Sequence, residues 1–155
     1  VIISPDHYLI DQETGEYVWS PERVKAAWNS AKQKLGRVMV DPRVRKLVLM
    51  VGVPASGKST WLKANKEPGA VYFDATFTQA WARKPIIEYA KQAGKEVEAV
   101  VMATPISVCL DRNACRTPDR QVPHDVVQKM SKGLAGDPPK KSEGFDRIRV
   151  VRTVS

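Results

Sequence analysis

The densest chemistry in the chain lies in Gly52-Val53-Pro54-Ala55-Ser56-Gly57-Lys58-Ser59-Thr60, where two glycines stand five apart and the second is followed by a lysine and two hydroxyls. Glycines at these positions let a short turn close with its backbone N–H groups pointing inward, an arrangement that receives an anion. A helix starting at the end of the turn adds the positive end of its dipole to the same anion. The run meets the pattern G-x-x-x-x-G-K-[ST] without mismatch, so Lys58 is expected at the terminal phosphates and Ser59 on a Mg²⁺ ion. The backbone of Pro54, Ala55 and Ser56 completes the cradle, and Thr60 is expected at the α-phosphate. The ligand so implied is ATP, or GTP or another NTP, together with Mg²⁺. A Gly/Ser turn with an exposed lysine is the bland alternative, and the sequence on either side argues against it.

Two carboxylates and three arginines could act beside that loop. Asp6 follows the β-branched run Val1–Ser4, and Asp74 ends the apolar run Ala70–Phe73. In open α/β sheets ligands bind beyond the carboxyl ends of strands, where a carboxylate can take a proton from an attacking hydroxyl or help hold Mg²⁺. A turn or helix-cap aspartate is the plainer reading of each. Arg112, Arg116 and Arg120 repeat every fourth residue, with Pro118 breaking the helix before Arg120. A helix and turn presenting Arg116 and Arg120 could close over a phosphoryl group and offset its charge; a solvated basic face is the alternative.

The elements that must position these residues are legible from pattern. Leu47–Val51 is apolar throughout, as a strand covered on both faces should be, and it runs straight into the loop. A helix is expected over Lys58–Asn65, a strand over Ala70–Phe73, a helix with Pro85 in its first turn ending at Gly94, and a strand over Glu96–Met102. Upstream, Ser20, Pro21 and Glu22 make a strong helix start, and Val24, Ala27, Trp28, Ala31 and Leu35 follow at helical spacing with Gly36 as the expected stop. The segment Asp11–Tyr17 reads as a turn around Gly15. Thr104-Pro105 and Val122-Pro123 open two further helices, Ala135–Ser142 is a Pro- and Lys-rich loop, and Ile148–Val154 reads as a last edge strand. Strands alternating with helices predict an α/β domain, three layers deep, with a mainly parallel sheet.

Composition narrows the setting. The 155 residues suit one domain, with a helical lid expected over about 111–133. No apolar run approaches the ~20 residues of a membrane span, and Val1-Ile2-Ile3 lacks the basic flank of a signal peptide. The missing initiator methionine reads as a processed or excised chain. Cys109 and Cys115 fit no metal or redox spacing, and two free thiols suit a reducing cytoplasm. His7 and His124 form no ligand pattern. A net charge of +8 favours a polyanionic partner, nucleotide or nucleic acid. Tyr8 and Trp19 could stack on bases, whereas Trp28 lies on the apolar stripe of its helix and reads as core.

The order GVPASGKSTW, then DAT followed by Arg83, then VEAVVM, then RNACRTPDRQVP resembles the P-loop polynucleotide 5′-kinases of the phage type. SPDHY resembles that family's D-x-Y acceptor motif. The resemblance implies a P-loop NTPase fold and transfer of the γ-phosphoryl of ATP to a nucleic-acid 5′-hydroxyl, as in nucleic-acid repair. It makes Asp6 the general base, Lys58 and Ser59 triphosphate ligands, Asp74 a carboxylate of the catalytic centre and Arg116 the lid arginine. Two departures stand out. The D-x-Y segment precedes the phosphate loop here, whereas in the family it follows. Leu9 stands where the family tends to carry a phosphate-binding arginine, which leaves room for a small-molecule acceptor such as a nucleoside, sugar or nucleotide-sugar. A nucleotide-dependent binding module with little turnover is the reading from another class. If the transposed segment serves the same site, strand Val1–Ser4 must lie beside the Leu47–Val51 strand or one strand removed from it.

Overall fold

The computed structural model describes residues 1–152. Five strands form one parallel sheet: β1 (Ile2–Ile3), β2 (Lys46–Val51), β3 (Ala70–Asp74), β4 (Glu96–Met102) and β5 (Arg147–Val151). Their order across the sheet is β1-β3-β2-β4-β5, so β1 is one strand removed from β2, as the transposition requires. The fold is the α/β P-loop NTPase type anticipated from the sequence. The expected last strand ends at Val151, and its continuation to Val154 lies outside the described residues.

Alternation along β2 divides the interior. Leu47, Leu49 and Val51 face a large core built with Ala31, Leu35 and Met39 of α1 (Pro21–Met39) and Ile86, Ile87 and Ala90 of α3 (Ala80–Gln92). Val48 and Met50 face the opposite layer, where they meet Leu62 and Trp61 of α2 (Lys58–Asn65). Trp28 is core, as its position on the apolar stripe implies, with its ring 5.7 Å from Phe73 and 5.6 Å from Phe77. A third cluster joins Val53 of the loop to Cys109 of α4 (Ile106–Ala114) and Val127 of α5 (His124–Gly136). The two lid helices therefore rest on the start of the phosphate loop. No helix among the described residues is long and apolar enough to cross a membrane.

Two local expectations are corrected. The α1 start is as read, with the Ser20 hydroxyl accepting from the Arg23 N–H at 3.1 Å, but Gly36 does not end the helix, which runs on to Met39. Met39 is fully buried, and that burial outweighs the weak helix propensity of glycine. A Cβ at position 36 would lie 2.9 Å from the Tyr89 hydroxyl, so this glycine serves the close approach of α1 to α3 rather than a cap. Pro85 sits as the sixth residue of α3, one turn deeper than anticipated. There it removes the bond to the carbonyl of Trp81, an exposed residue. The helix opened by Thr104-Pro105, expected to reach roughly Asn113, ends at Ala114, so Arg116 lies in the turn beyond it.

Arg83 anchors the start of α3. Its guanidinium is fully buried and donates to Glu143 Oε1 at 2.9 Å, the Phe77 carbonyl at 2.8 Å and the Asp137 carbonyl at 2.8 Å. The Asp137 carboxylate accepts from the Ala80 N–H at 2.7 Å, completing the first turn of α3. Arg83 thus ties the start of α3 to the end of α5, and its place in the DAT-to-arginine spacing reflects structure. Replacing Arg83 by methionine should cost about 3–5 kcal/mol of unfolding free energy, because it strands the Glu143 carboxylate and several carbonyls. Urea unfolding checks this; a loss below about 1 kcal/mol would mean the network relaxes around the gap.

Candidate functional site

The parallel register sets which side chains meet. Ile3 pairs with Phe73 and Met50 pairs with Asp74, so β1, β3 and β2 end at nearly the same level. Asp6, Asp74 and the phosphate loop consequently share the carboxyl edge of the sheet. Asp6 lies in a 3₁₀ turn, Pro5–Leu9, that bends the chain immediately after β1. Pro5 and Leu9 are buried beneath it, while Asp6 is exposed.

The loop carries the backbone conformations that an anion cradle needs. Gly57 has φ 96° and caps α2, and Ala55 has φ 64°, a left-handed conformation uncommon for a residue with a side chain. Gly52 is needed for space: a Cβ there would approach the Ser56 hydroxyl to 2.6 Å. Ser56 Oγ is the buried side-chain polar atom without a hydrogen-bond partner among the described residues. Such strain and such an orphan are costly unless a ligand uses the geometry.

Lys58 donates from Nζ to the carbonyls of Gly52 and Val53, at 3.0 and 3.1 Å, so the side chain folds back across the mouth of its own loop. Burial pushes its amine below the usual lysine range; the Asp74 and Asp6 carboxylates counter that, and Arg116 reinforces it. Both expected carboxylates and the expected lid arginine therefore act on one ammonium group. Ser59 Oγ donates to Asp74 Oδ2 at 3.1 Å, which pairs two hard oxygen donors beside the loop. Mg²⁺ is commonly held by one or two such groups with waters and substrate phosphates. The residues present thus fit Mg²⁺ and a triphosphate: Ser59 and Asp74 would hold the ion, and Lys58 with the loop amides would hold the phosphates. Thr60 is exposed at the first turn of α2.

The arginine series divides. Arg112, on the last turn of α4, points Nη1 to the Ala55 carbonyl at 3.4 Å, and the same atom would lie 3.5 Å from a Cβ at Gly57. Arg116 stands just past the helix, within electrostatic reach of both Lys58 and Tyr17. Arg120 turns elsewhere and lies over the Tyr17 ring, 5.6 Å from its centroid. Arg112, anticipated as a member of the arginine repeat but given no role of its own there, is the one that reaches the loop. One neighbour of the site was not singled out from sequence. Tyr17, whose hydroxyl donates to Asp6 Oδ1 at 3.2 Å, sits at the end of what read as a turn. Nothing local marks it, because only the returning hairpin brings it to Asp6.

Residues 63–136 match the family model described as an AAA domain, just under half of the chain. No curated protein matches the chain. With the parallel sheet and the loop geometry, the match supports a nucleotide-binding P-loop domain of kinase-like character. Its matched stretch starts behind the phosphate loop, so the loop and the Asp6 segment stand on their own geometry.

Two substitutions test this binding geometry by titration calorimetry with a non-hydrolysable ATP analogue. Lys58→Ala should lower affinity by about 10- to 100-fold, the scale of losing a charge-assisted contact. Asp74→Asn should weaken binding only when Mg²⁺ is present. Unchanged affinity in Lys58→Ala would contradict the assignment of the loop.

Proposed function

We propose that the chain is an ATP-dependent kinase that transfers the γ-phosphoryl group to a hydroxyl, with the 5′-OH of a polynucleotide, RNA or DNA, as the leading acceptor. The observation that carries this reading is the parallel register of β1, β3 and β2, which brings Asp6 and Asp74 to the carboxyl edge of the sheet beside the phosphate loop. A binding module has no use for a second carboxylate at that edge.

In this reading the acceptor hydroxyl sits between Asp6 and the γ-phosphorus. Its oxygen forms the new P–O bond as the bond to the bridging oxygen of the departing nucleoside diphosphate breaks, and its proton passes to Asp6. Lys58, Arg112 and Arg116 offset the charge spread over the transferring oxygens. A bound Mg²⁺ would add positive charge at the β- and γ-oxygens. The exposure of Asp6 suits a group that must meet an incoming acceptor. The high positive charge of the chain supports a polyanionic acceptor, and the DAT, RNACRTPDRQVP and SPDHY segments resemble the polynucleotide kinases.

One observation favours a small-molecule acceptor instead. Leu9, at the position of the family's phosphate-binding arginine, is 3% exposed and packs inward, so no cation can be supplied there.

Transfer of label from γ-labelled ATP to 5′-hydroxyl oligonucleotides, nucleosides and sugars distinguishes these acceptors. With the acceptor found, Asp6→Asn should lower the transfer rate by roughly 10²-fold or more, the scale of losing a general base, while leaving ATP affinity near wild type. Wild-type transfer rates in Asp6→Asn would remove Asp6 from the chemistry. Failure of every acceptor to take label, with ATP still bound, would favour a nucleotide-dependent binding module.

A further inference from the structure

Tyr17 belongs to a tight hairpin that returns the chain to its own start. Ile10 and Tyr17 face each other in an antiparallel bridge. The Asp11 N–H donates to the Glu16 carbonyl at 2.7 Å, and the Val18 N–H donates to the Leu9 carbonyl at 2.8 Å. Asp11 Oδ1 also accepts from the Glu13 and Thr14 N–H groups, at 2.8 and 3.2 Å, which fixes the turn. The backbone of half-buried Tyr17 is therefore held by hydrogen bonds on both sides, and its hydroxyl reaches Asp6.

The other face of the ring belongs to the lid. Arg120 stacks its guanidinium over it, a cation–π contact of the kind worth more as water is excluded. Asp119, one residue earlier, has its carboxyl held below the usual range, first by the Thr117 hydroxyl and further by the Tyr17 backbone N–H. The turn 117–120 thus meets Tyr17 at its ring, beyond the end of α4 and ahead of α5.

The geometry points to Tyr17 as a positioning residue that holds the Asp6 carboxylate with its hydroxyl while its ring seats Arg120, so that lid closure and acceptor-base alignment pass through one side chain. The inference rests on the reading of Asp6 as acceptor base and adds how that base is oriented and what the third arginine does. In this arrangement Arg120 serves the acceptor side, whereas Arg112 and Arg116 serve the phosphates. A lid that swings open withdraws the cation from the ring and loosens the support of Asp6, so transfer is favoured only when the lid is seated.

Three variants separate the two contacts. Tyr17→Phe deletes the hydroxyl and keeps the ring, Tyr17→Leu deletes both, and Arg120→Gln removes the cation alone. With the acceptor found by label transfer, Tyr17→Phe should lower kcat by about tenfold, the scale of one hydrogen bond to a charged group, with ATP affinity near wild type. Arg120→Gln should add its own loss in the Tyr17→Phe background and none in the Tyr17→Leu background, where its seat is already gone. The contact also has a signature apart from turnover. Burial first, and then the Asp6 carboxylate, push the Tyr17 phenol up to about 12, so Asp6→Asn should bring it down when ring-labelled tyrosines are titrated by NMR.

Wild-type kcat in Tyr17→Phe, or an Arg120→Gln effect identical in the Phe and Leu backgrounds, would overturn the positioning role while leaving Asp6 as base. Insensitivity of the Tyr17 titration to Asp6→Asn would overturn the contact itself. A wild-type protein that transfers label to no acceptor would instead overturn the kinase reading, and the positioning role with it.

Discussion

A phosphate cradle requires several backbone N–H groups to converge on one point, and the chain can do this only by leaving the regular conformations. Here the departure is concentrated in Gly52–Lys58, with left-handed backbone at Ala55 and Gly57, no room for a side chain at Gly52, and an orphaned hydroxyl at Ser56. Such a segment keeps its shape only if its ends are over-determined. The structure does so by placing β2 between β3 and β4, by anchoring Val53 under the lid helices, and by having the Thr104 hydroxyl donate to the Ser56 carbonyl at 2.6 Å. The central position of β2 is therefore what the strained loop depends on.

From that constraint the division of labour follows. The phosphate side is made mainly of backbone, which is rigid and tolerant of sequence. In the proposed reading the acceptor side is made of side chains on short, irregular segments: Asp6 on a 3₁₀ turn, Tyr17 on a hairpin, and Arg120 beyond a helix end. Placing β1 before the phosphate loop in sequence changes only the connections, because the parallel pairing of β1 with β3 still delivers Asp6 to the carboxyl edge. Arg83 supports the start of α3 through Glu143 and Asp137, so stability and the proposed chemistry draw on different charged groups.

Much of this was legible beforehand, and the reasons are specific. The bounds of α2 and β4 follow from strong local signals, the glycine-lysine run and the β-branched, apolar run between Gly94 and Thr104, and the Ser20 cap marks the start of α1. The approach of Asp6 and Asp74 could be argued because both end buried strands. What was hidden depends on distant partners. Gly36 reads as a stop until Tyr89 is seen against it. Pro85 reads as a first-turn residue until α3 is seen to begin at Ala80. Arg83 reads as part of a motif until Glu143 and Asp137 close around it, and Tyr17 reads as a turn end until the hairpin carries it to Asp6. The division of Arg112, Arg116 and Arg120 between loop and hairpin was hidden because it depends on distant partners, the Ala55 carbonyl and the Tyr17 ring.

The central claim is that two sequence-distant halves make one phosphoryl-transfer site. A crystal structure with Mg²⁺ and a non-hydrolysable ATP analogue tests it most directly. The account predicts the γ-phosphate in the Gly52–Thr60 loop, Mg²⁺ against Ser59 and Asp74, and Asp6 facing the γ-phosphorus at about 6–7 Å, the span of one hydroxyl in contact with both. A triphosphate seated elsewhere, or an Asp6 carboxylate turned away beyond about 10 Å from the γ-phosphorus, too far for direct or single-water proton transfer, would contradict it.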